Sequence, residues 1–227
     1  MEFLLTPEFW AALGSIILAN VLLSGDNAVV IAMAARGLPP HQQKRAIVFG
    51  SGAAIVMRIA LTLIAVKMLG LPWLKLVGGL ALLYIGANLM SEEEEQHDHE
   101  AKPIGVATAV RTILVADLVM SLDNVLAVAA AAQGNTVLLI VGLAISIPLI
   151  VFGSTLILKL MERFPVIIVA GAALLGWLAG EMMLTDPALR TWFGEVPESA
   201  VRIGGIVGAV LVVIVGKLLQ RRAESRI

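Results

Sequence analysis

Long apolar blocks separated by polar links dominate the sequence. Seven blocks run roughly over 9–35, 44–69, 71–90, 105–132, 135–159, 164–183 and 199–219. Each holds about 20 residues or more, which as a helix is enough to cross a hydrocarbon core of about 30 Å. The pattern predicts an all-α membrane protein with seven transmembrane helices.

The links between the blocks are short, except for one strongly acidic segment. Residues 91–104 contain the run Glu92–Glu95 followed by His97, Asp98 and His99. Runs of like charge are usually disordered, so this segment is predicted to be a flexible, solvated loop. Collection of metal ions by His97 and His99 is the alternative, and the sequence leaves it open.

Composition supports a membrane protein and excludes several kinds of function. Of 227 residues, 59% are hydrophobic and 15% charged, whereas a soluble domain has about 25% charged residues. The net charge of −1 gives no indication of nucleic acid as a partner. The absence of cysteine excludes disulfides, thiolate metal sites and cysteine nucleophiles. No basic flank or small-residue cleavage pattern begins the chain, so we predict no removable signal peptide.

The positions of lysine and arginine predict an orientation. Cytoplasmic ends of transmembrane helices are enriched in these residues. Eleven fall on one side of the predicted bundle: Arg36, Lys44, Arg45, Lys102, Arg111, Lys159, Arg163, Lys217, Arg221, Arg222 and Arg226. Four fall on the other: Lys67, Lys75, Arg190 and Arg202. We therefore expect a multi-pass protein of the cell's inner (plasma) membrane, with the N-terminus outside and the C-terminus in the cytoplasm.

Two parts of the chain resemble each other. Residues 19–27 align with 116–124, and residues 79–83 with 171–175. Each repeat covers three blocks, and an odd number means that the second enters the membrane from the opposite side. The sequence thus predicts one transmembrane domain with an inverted 3+3 repeat, as in many secondary transporters. Its parts are repeat 1 (9–90), the acidic cytoplasmic loop (91–104), repeat 2 (105–183) and a seventh helix (199–219), which is expected to be peripheral or oligomer-forming.

The repeated motif carries an aspartate into the membrane twice, as Asp26 and Asp123. A carboxylate in an apolar span is costly and indicates a functional site, although a hydrogen bond between helices is the structural alternative. Gly25 favours local unwinding beside Asp26. The equivalent position of repeat 2 is Leu122, which gives no such signal.

Further polar residues surround the two aspartates. Spacings of four and three residues place each polar trio on one helix face. The trios are Asn20, Ser24 and Asn27 in repeat 1, and Asp117, Ser121 and Asn124 in repeat 2. Carboxylate, amide and hydroxyl oxygens suit hard divalent cations: magnesium, calcium or manganese. Met120 would add a softer contact that favours manganese, with simple packing as the alternative.

Helix rise predicts the depth of these groups. Counting about 1.5 Å per residue, we expect Asp26 and Asn88 at an inner level, and Glu181 beside Asp123 and Asn124 at an outer level. Glu181 is near a helix end, so exposure at the membrane surface is its alternative. Arg58 lies in mid-span and most simply pairs with a carboxylate, either as a structural ion pair or as a counter-charge that fills the site when the cation leaves.

These motifs resemble a known family. Residues 23–32 (LSGDNAVVIA) and 117–125 (DLVMSLDNV) are similar to the paired motifs of the TerC family of integral membrane proteins, especially its short, YjbE-like bacterial members. The resemblance covers roughly residues 9–219. It implies a seven-span protein related to the LysE-type exporters, with bacterial members that export manganese. The family's motif acids carry over to Asp26, Asp117 and Asp123, with Asn27 and Asn124 beside them. The family is named for tellurium resistance, which no residue here predicts.

We therefore expect a secondary exporter of divalent metal ions, most simply Mn²⁺, that works by alternating access. The metal ligands would be Asp26, Asn27, Asp117, Asp123 and Asn124, joined by Asn20, Ser24, Ser121, Asn88 and Glu181. Protons are a reasonable counter-ion, no resident cofactor is expected, and a homo-oligomer stays open. No catalytic constellation indicates an enzyme. The alternatives are export of calcium or of an amino acid, and a non-transporting membrane assembly factor.

Overall fold

A computed structural model describes residues 7–22, 25–68, 71–91, 105–131 and 135–224. The side chains of some residues inside helices, including Asn20 and Asp123, lie outside this description. The described residues form nine helices and no strand: α1 (Pro7–Leu22), α2 (Gly25–Arg36), α3 (Pro40–Met68), α4 (Leu74–Ser91), α5 (Val106–Ala131), α6 (Thr136–Arg163), α7 (Val166–Leu184), α8 (Pro187–Phe193) and α9 (Glu198–Glu224).

The all-helical prediction is confirmed, and six of the seven predicted blocks match single helices within a few residues. The first block, 9–35, corresponds to two helices, α1 and α2. Within the described residues, five helices are long and apolar enough to cross a membrane: Pro40–Thr62, Leu74–Ser91, Thr136–Arg163, Val166–Leu184 and Glu198–Arg222. The long link after the sixth block contains the short helix α8, which the sequence reading missed.

Large apolar side chains cover the outside of the bundle. Val56, Tyr84, Phe152 and Val166 are each at least 68% exposed, and α9 presents a continuous row of isoleucine, valine and leucine. A soluble monomer rarely exposes so extensive an apolar surface. Lipid chains are its natural solvent, so the chain is a multi-pass membrane protein.

Close helix packing holds the bundle together. The main pairs are α7 with α9, α3 with α5, and α4 with α7 and α9; α6 packs on α1, α2 and α3. Glycines stand where backbones approach most closely. A Cβ on Gly180 would clash with the carbonyl oxygen of Gly204, and one on Gly176 with that of Gly208. The last helix, expected to be peripheral, is therefore packed tightly against α7 and α4.

Candidate metal-ion site

A cavity of about 260 Å³ opens where α2, α4, α5, α7 and α9 meet. Its oxygen-bearing lining residues are Asp26, Asn124, Glu181 and Thr185. The rest of the lining is apolar or thioether: Leu82, Val119, Met120, Leu178, Met182 and Val201. The cavity thus brings together two carboxylates, an amide and a hydroxyl from three helices.

Asp26 lies in the first turn of α2. Its Oδ1 accepts a hydrogen bond of 2.8 Å from the backbone N–H of Asn27. In an uninterrupted helix this N–H would bond the carbonyl four residues earlier, so its bond to a side chain marks a helix start. The break that Gly25 predicted therefore lies at the aspartate, and the positive end of the α2 dipole favours negative charge there.

Behind the cavity, a buried ion pair joins α3 to α5. Arg58 donates from Nη2 to Oδ1 of Asp117, and the two side chains are 1% and 5% exposed. Ser121 Oγ donates to the second oxygen, Oδ2, at 3.2 Å. Both carboxylate oxygens of Asp117 are thus engaged. The bond from Ser121 also confirms that these two residues share one helix face.

Asp26 lies close enough to Arg58 and Asp117 for its charge to interact with both. Three ionisable groups from α2, α3 and α5 therefore form one electrostatic group inside the bundle. Asp26 lines the cavity, while Arg58 and Asp117 are buried and are not lining residues.

The predicted site residues fall into three sets. Asp26, Asn124 and Glu181 line the cavity. Asn27, Ser121, Asp117 and Arg58 are buried, and Asn88 is half-buried in α4, but none of these is a lining residue. Ser24 and the side chains of Asn20 and Asp123 lie outside the described residues, as does the 92–104 part of the acidic loop with His97 and His99.

The predicted separation of an inner and an outer level is wrong for Asp26. It shares the cavity with Asn124 and Glu181, not with Asn88. The depth count assumed one straight helix from the start of the first block. A new helix, α2, begins at Gly25, so Asp26 lies at its start, ten residues or about 15 Å from its other end at Arg36.

No group of three or more His, Asp or Glu side chains poised to hold a metal ion occurs in the described part of the chain. The cavity supplies two carboxylates, and further oxygen ligands would come from Asn124 and Thr185. Sites for hard cations use such mixed oxygen sets together with water.

Two residues near the cavity were missed by the sequence reading. Thr185 follows α7, and its Oγ1 donates to the carbonyls of Glu181 and Met182. Asp186 is fully buried and accepts from the backbone N–H of Trp73, Leu76 and Ala188 at 3.0, 3.0 and 2.7 Å. The sequence signal that could have predicted the start of α8 is Asp186-Pro187, because aspartate is a common N-cap and proline is common in the first turn of a helix.

Asp186 lies between α7 and α8, at the end of the bundle. Burial alone would raise the pKa of its carboxyl. The hydrogen bonds from the N–H groups of Ala188, Trp73, Leu76 and Lys75 outweigh that effect and hold the pKa below the usual 3.8. The group is therefore ionised at neutral pH, and it joins the start of α4 to the end of α7.

Comparison with known proteins agrees with the motifs. The profile of the integral membrane protein TerC family matches residues 5–224. The "Uncharacterized membrane protein YjbE" of Bacillus subtilis is 44% identical over 176 residues, which is 78% of this chain and 80% of the relative. The same organism's "Uncharacterized membrane protein YceF" is 28% identical over 99% of this chain and 88% of the relative.

A third relative is a longer protein. The "UPF0053 inner membrane protein YoaE" of Escherichia coli K12 is 27% identical over 74% of this chain but only 36% of its own length. No solved structure matches the chain. The family match extends over nearly every residue, and the chain belongs to the integral membrane protein TerC family.

Proposed function

We propose that this protein is a secondary transporter that exports divalent metal ions, first of all Mn²⁺, by alternating access. The observation that carries the proposal is the cavity within the bundle where Asp26, Asn124, Glu181 and Thr185 converge. Two carboxylates, an amide and a hydroxyl can replace part of the hydration shell of a divalent cation. Met120 in the same lining is a soft contact that favours Mn²⁺ over Mg²⁺.

The packing of the helices supports the inverted repeat. The second span of repeat 1, α3, packs on α5 of repeat 2, and the second span of repeat 2, α6, packs on α1 and α2 of repeat 1. The pairs α4 with α7, α2 with α5 and α3 with α6 each join equivalent helices of the two repeats. A two-fold axis in the membrane plane would map this set of contacts onto itself. With α1 and α2 together as the first span, the chain has seven spans, and the cavity lies where the repeats meet.

Location and orientation follow from the charges. The excess of Lys and Arg on one side predicts that the end of α9 and the link between α4 and α5 lie in the cytoplasm. The name of the YoaE relative supports the bacterial inner membrane. The carboxylates of the acidic loop would then raise the local cation concentration on the side from which ions leave the cell.

Arg58 supplies the counter-charge in this proposal. It is paired with Asp117 and interacts electrostatically with Asp26. A cation that enters beside Asp26 is repelled by the guanidinium, which limits how tightly it is held. Because no nucleotide-binding motif occurs in the sequence, an ion gradient or the membrane potential would drive the cycle, and protons are the counter-ion in this proposal.

The proposal is tested by ion uptake into inside-out membrane vesicles, in which export appears as uptake. Asp26→Asn keeps the side-chain size and removes the charge, and we expect it to lower the initial rate of Mn²⁺ uptake at least about tenfold. Glu198→Gln is the matched control, because Glu198 is 80% exposed and pairs only within α9, with Arg202. It should keep the wild-type rate.

Other outcomes separate the alternatives. Uptake of Ca²⁺ but not of Mn²⁺ would show that calcium, not manganese, is the transported ion. Equal uptake by vesicles with and without the protein would defeat the transporter and favour an assembly factor. An amino-acid exporter would need a cation for the substrate carboxylate, and the engagement of Arg58 by Asp117 speaks against Arg58 in that role.

A further inference from the structure

Three helices are joined to one another at their backbones. Gly176 and Gly180 of α7 meet Gly208 and Gly204 of α9 so closely that a Cβ would strike a backbone carbonyl. Gly86 of α4 contacts Val212 of α9 and Leu175 of α7 at 3.1 and 3.2 Å from its ideal Cβ position. Helices in such contact cannot separate or slide without losing a continuous packed surface. We call α4, α7 and α9 the glycine-joined unit.

Polar contacts hold both ends of this unit. At one end, Asp186 binds the backbone N–H groups of Trp73 and Leu76, which joins the end of α7 to the start of α4. At the other end, Gln220 of α9 donates from Nε2 to the carbonyl of Met90 in α4 at 2.9 Å.

Of the six other described helices, α1, α2, α3, α5 and α6 form a second unit, which we call the ion-pair unit. Arg58 and Asp117 join α3 to α5, and Gly50 of α3 lies directly against Ile113 of α5. On the opposite side, Gly142 of α6 lies against Ile16 of α1, and α6 also packs on α2 and α3.

The cavity lies between these two units. Asp26, Val119, Met120 and Asn124 come from the ion-pair unit, and the remaining lining residues come from the glycine-joined unit. A side-chain hydrogen bond crosses between the units at the far end of α2, where Arg36 Nη2 donates to the carbonyl of Leu89 at 2.9 Å. The cavity therefore lies at the start of α2, where Asp26 lines it, and this bond lies at the other end of the same helix.

We infer that the glycine-joined unit moves as one body against the ion-pair unit during transport, and that the Arg36–Leu89 hydrogen bond closes the cytoplasmic end between them. This inference rests on the proposed function. Rigid-body movement around a central site is the ordinary form of alternating access. Each helix pair that the repeat relates lies wholly within one unit: α4 with α7 in the glycine-joined unit, and α2 with α5 and α3 with α6 in the ion-pair unit. The movement can therefore be similar in both directions.

Disulfide cross-linking tests the division directly, because the natural chain has no cysteine. Val29→Cys with Gly171→Cys joins α2 to α7 across the units; Val29 Cγ1 lies 2.7 Å from the ideal Cβ position of Gly171. Met90→Cys with Gly216→Cys joins α4 to α9 within the glycine-joined unit, where Met90 Cβ lies 3.1 Å from the ideal Cβ of Gly216. Both pairs are within reach of a disulfide after small adjustments.

We expect oxidation of the first pair to lower Mn²⁺ uptake at least about tenfold, because the disulfide prevents the two units from moving relative to each other. Reduction should restore the uptake. Oxidation of the second pair should leave the rate unchanged. Met33→Cys with Gly171→Cys is a second cross-unit pair in case the first does not fold, because Met33 Sδ lies 2.8 Å from the ideal Cβ position of Gly171.

Two results would overturn the inference while the wild type transports: full activity with a cross-unit disulfide, or inhibition by the disulfide within the glycine-joined unit. Absence of uptake by the wild type would instead overturn the proposed function, and the inference with it.

Discussion

Arg58 and Asp117 form a buried ion pair, so each charge depends on the other for its compensation. Removing one member leaves the other as a charge in the bundle interior without its main partner. We expect Asp117→Asn to lower the free energy of unfolding by about 3–5 kcal/mol. The midpoint of thermal unfolding in detergent, followed by tryptophan fluorescence, measures the loss.

The double variant Arg58→Met with Asp117→Leu separates stability from transport. Replacing a buried ion pair by apolar residues is often neutral or stabilising, so the midpoint should recover. Transport should stay impaired, because the counter-charge beside Asp26 is gone. A double variant with wild-type transport would show that the pair only holds the helices together.

Asp186 provides a pH-dependent prediction at the same scale. Asp186→Asn supplies one acceptor oxygen in place of two, and each buried N–H left unpaired costs about 1–3 kcal/mol. The pKa of Asp186 is lower in the folded state than its usual 3.8. Its contribution is therefore fully present above that value and is lost as the pH falls through the folded-state pKa.

Because the contribution of Asp186 is lost in acid, thermal unfolding measured at several pH values tests the prediction. At pH 7, Asp186→Asn should unfold at a lower temperature than the wild type, and the difference should narrow below about pH 3.8. A difference that stayed constant into acid would mean that the shape of the side chain, not its charge, matters.

Some residue-level features could be predicted from the sequence, and others could not. A mid-span arginine requires an anion, so a carboxylate partner for Arg58 followed from the energetics of the membrane. Which carboxylate it would be depends on how α3 rotates against α5, and that depends on small contacts such as Gly50 with Ile113. The polar face of Asp117 and Ser121 followed from helix periodicity alone.

Glycine contacts decide how the helices are arranged. In Gly180→Ala the new methyl group would meet the carbonyl oxygen of Gly204, so α9 has to move away from α7. We expect a loss of about 1–3 kcal/mol in unfolding free energy. Gly52→Ala is the control, since nothing lies within 4 Å of its Cβ position and alanine is the better helix former. Equal unfolding midpoints for the two variants would contradict the role of the close contact.

Helix boundaries were predictable because apolar length is set by the bilayer. Six blocks therefore matched helices within a few residues. Only Gly25 suggested that the first block is divided into two helices. Helix α8 was not predicted, because its seven residues are too few to form an apolar block of membrane-spanning length. Local chemistry, not hydropathy, determines such features.

The orientation of the whole molecule stays a prediction, and the cysteine-free chain makes it easy to test. Thr191→Cys in α8 and Glu162→Cys near the end of α6 place single thiols at exposed positions on opposite ends of the bundle. A membrane-impermeant maleimide should label the first in intact cells and the second only after permeabilisation. The reverse labelling pattern would mean that the C-terminal end of α6 faces outside and α8 faces the cytoplasm. The proposed direction of transport would then be import.

The site as a whole could be predicted only in part. The sequence identified Asp26, Asn124 and Glu181 separately, because polar groups in apolar spans are conspicuous. It assigned Asp26 to a different level from the other two. Depth counted along a chain cannot anticipate a helix break, and a cavity shared by five helices depends on how all of them pack.

The bond from the Asn27 N–H to Asp26 has a consequence for the time that an ion stays bound. Oδ1 of the carboxylate already accepts this bond when the cation arrives, so a cation that is bound by both oxygens competes with the N–H for Oδ1. A hydrogen bond to a charged group contributes about 1.5–3 kcal/mol. If this bond re-forms as the ion leaves, dissociation is accelerated by roughly ten- to a hundredfold. Such a site holds its cargo briefly, which favours high turnover over high affinity.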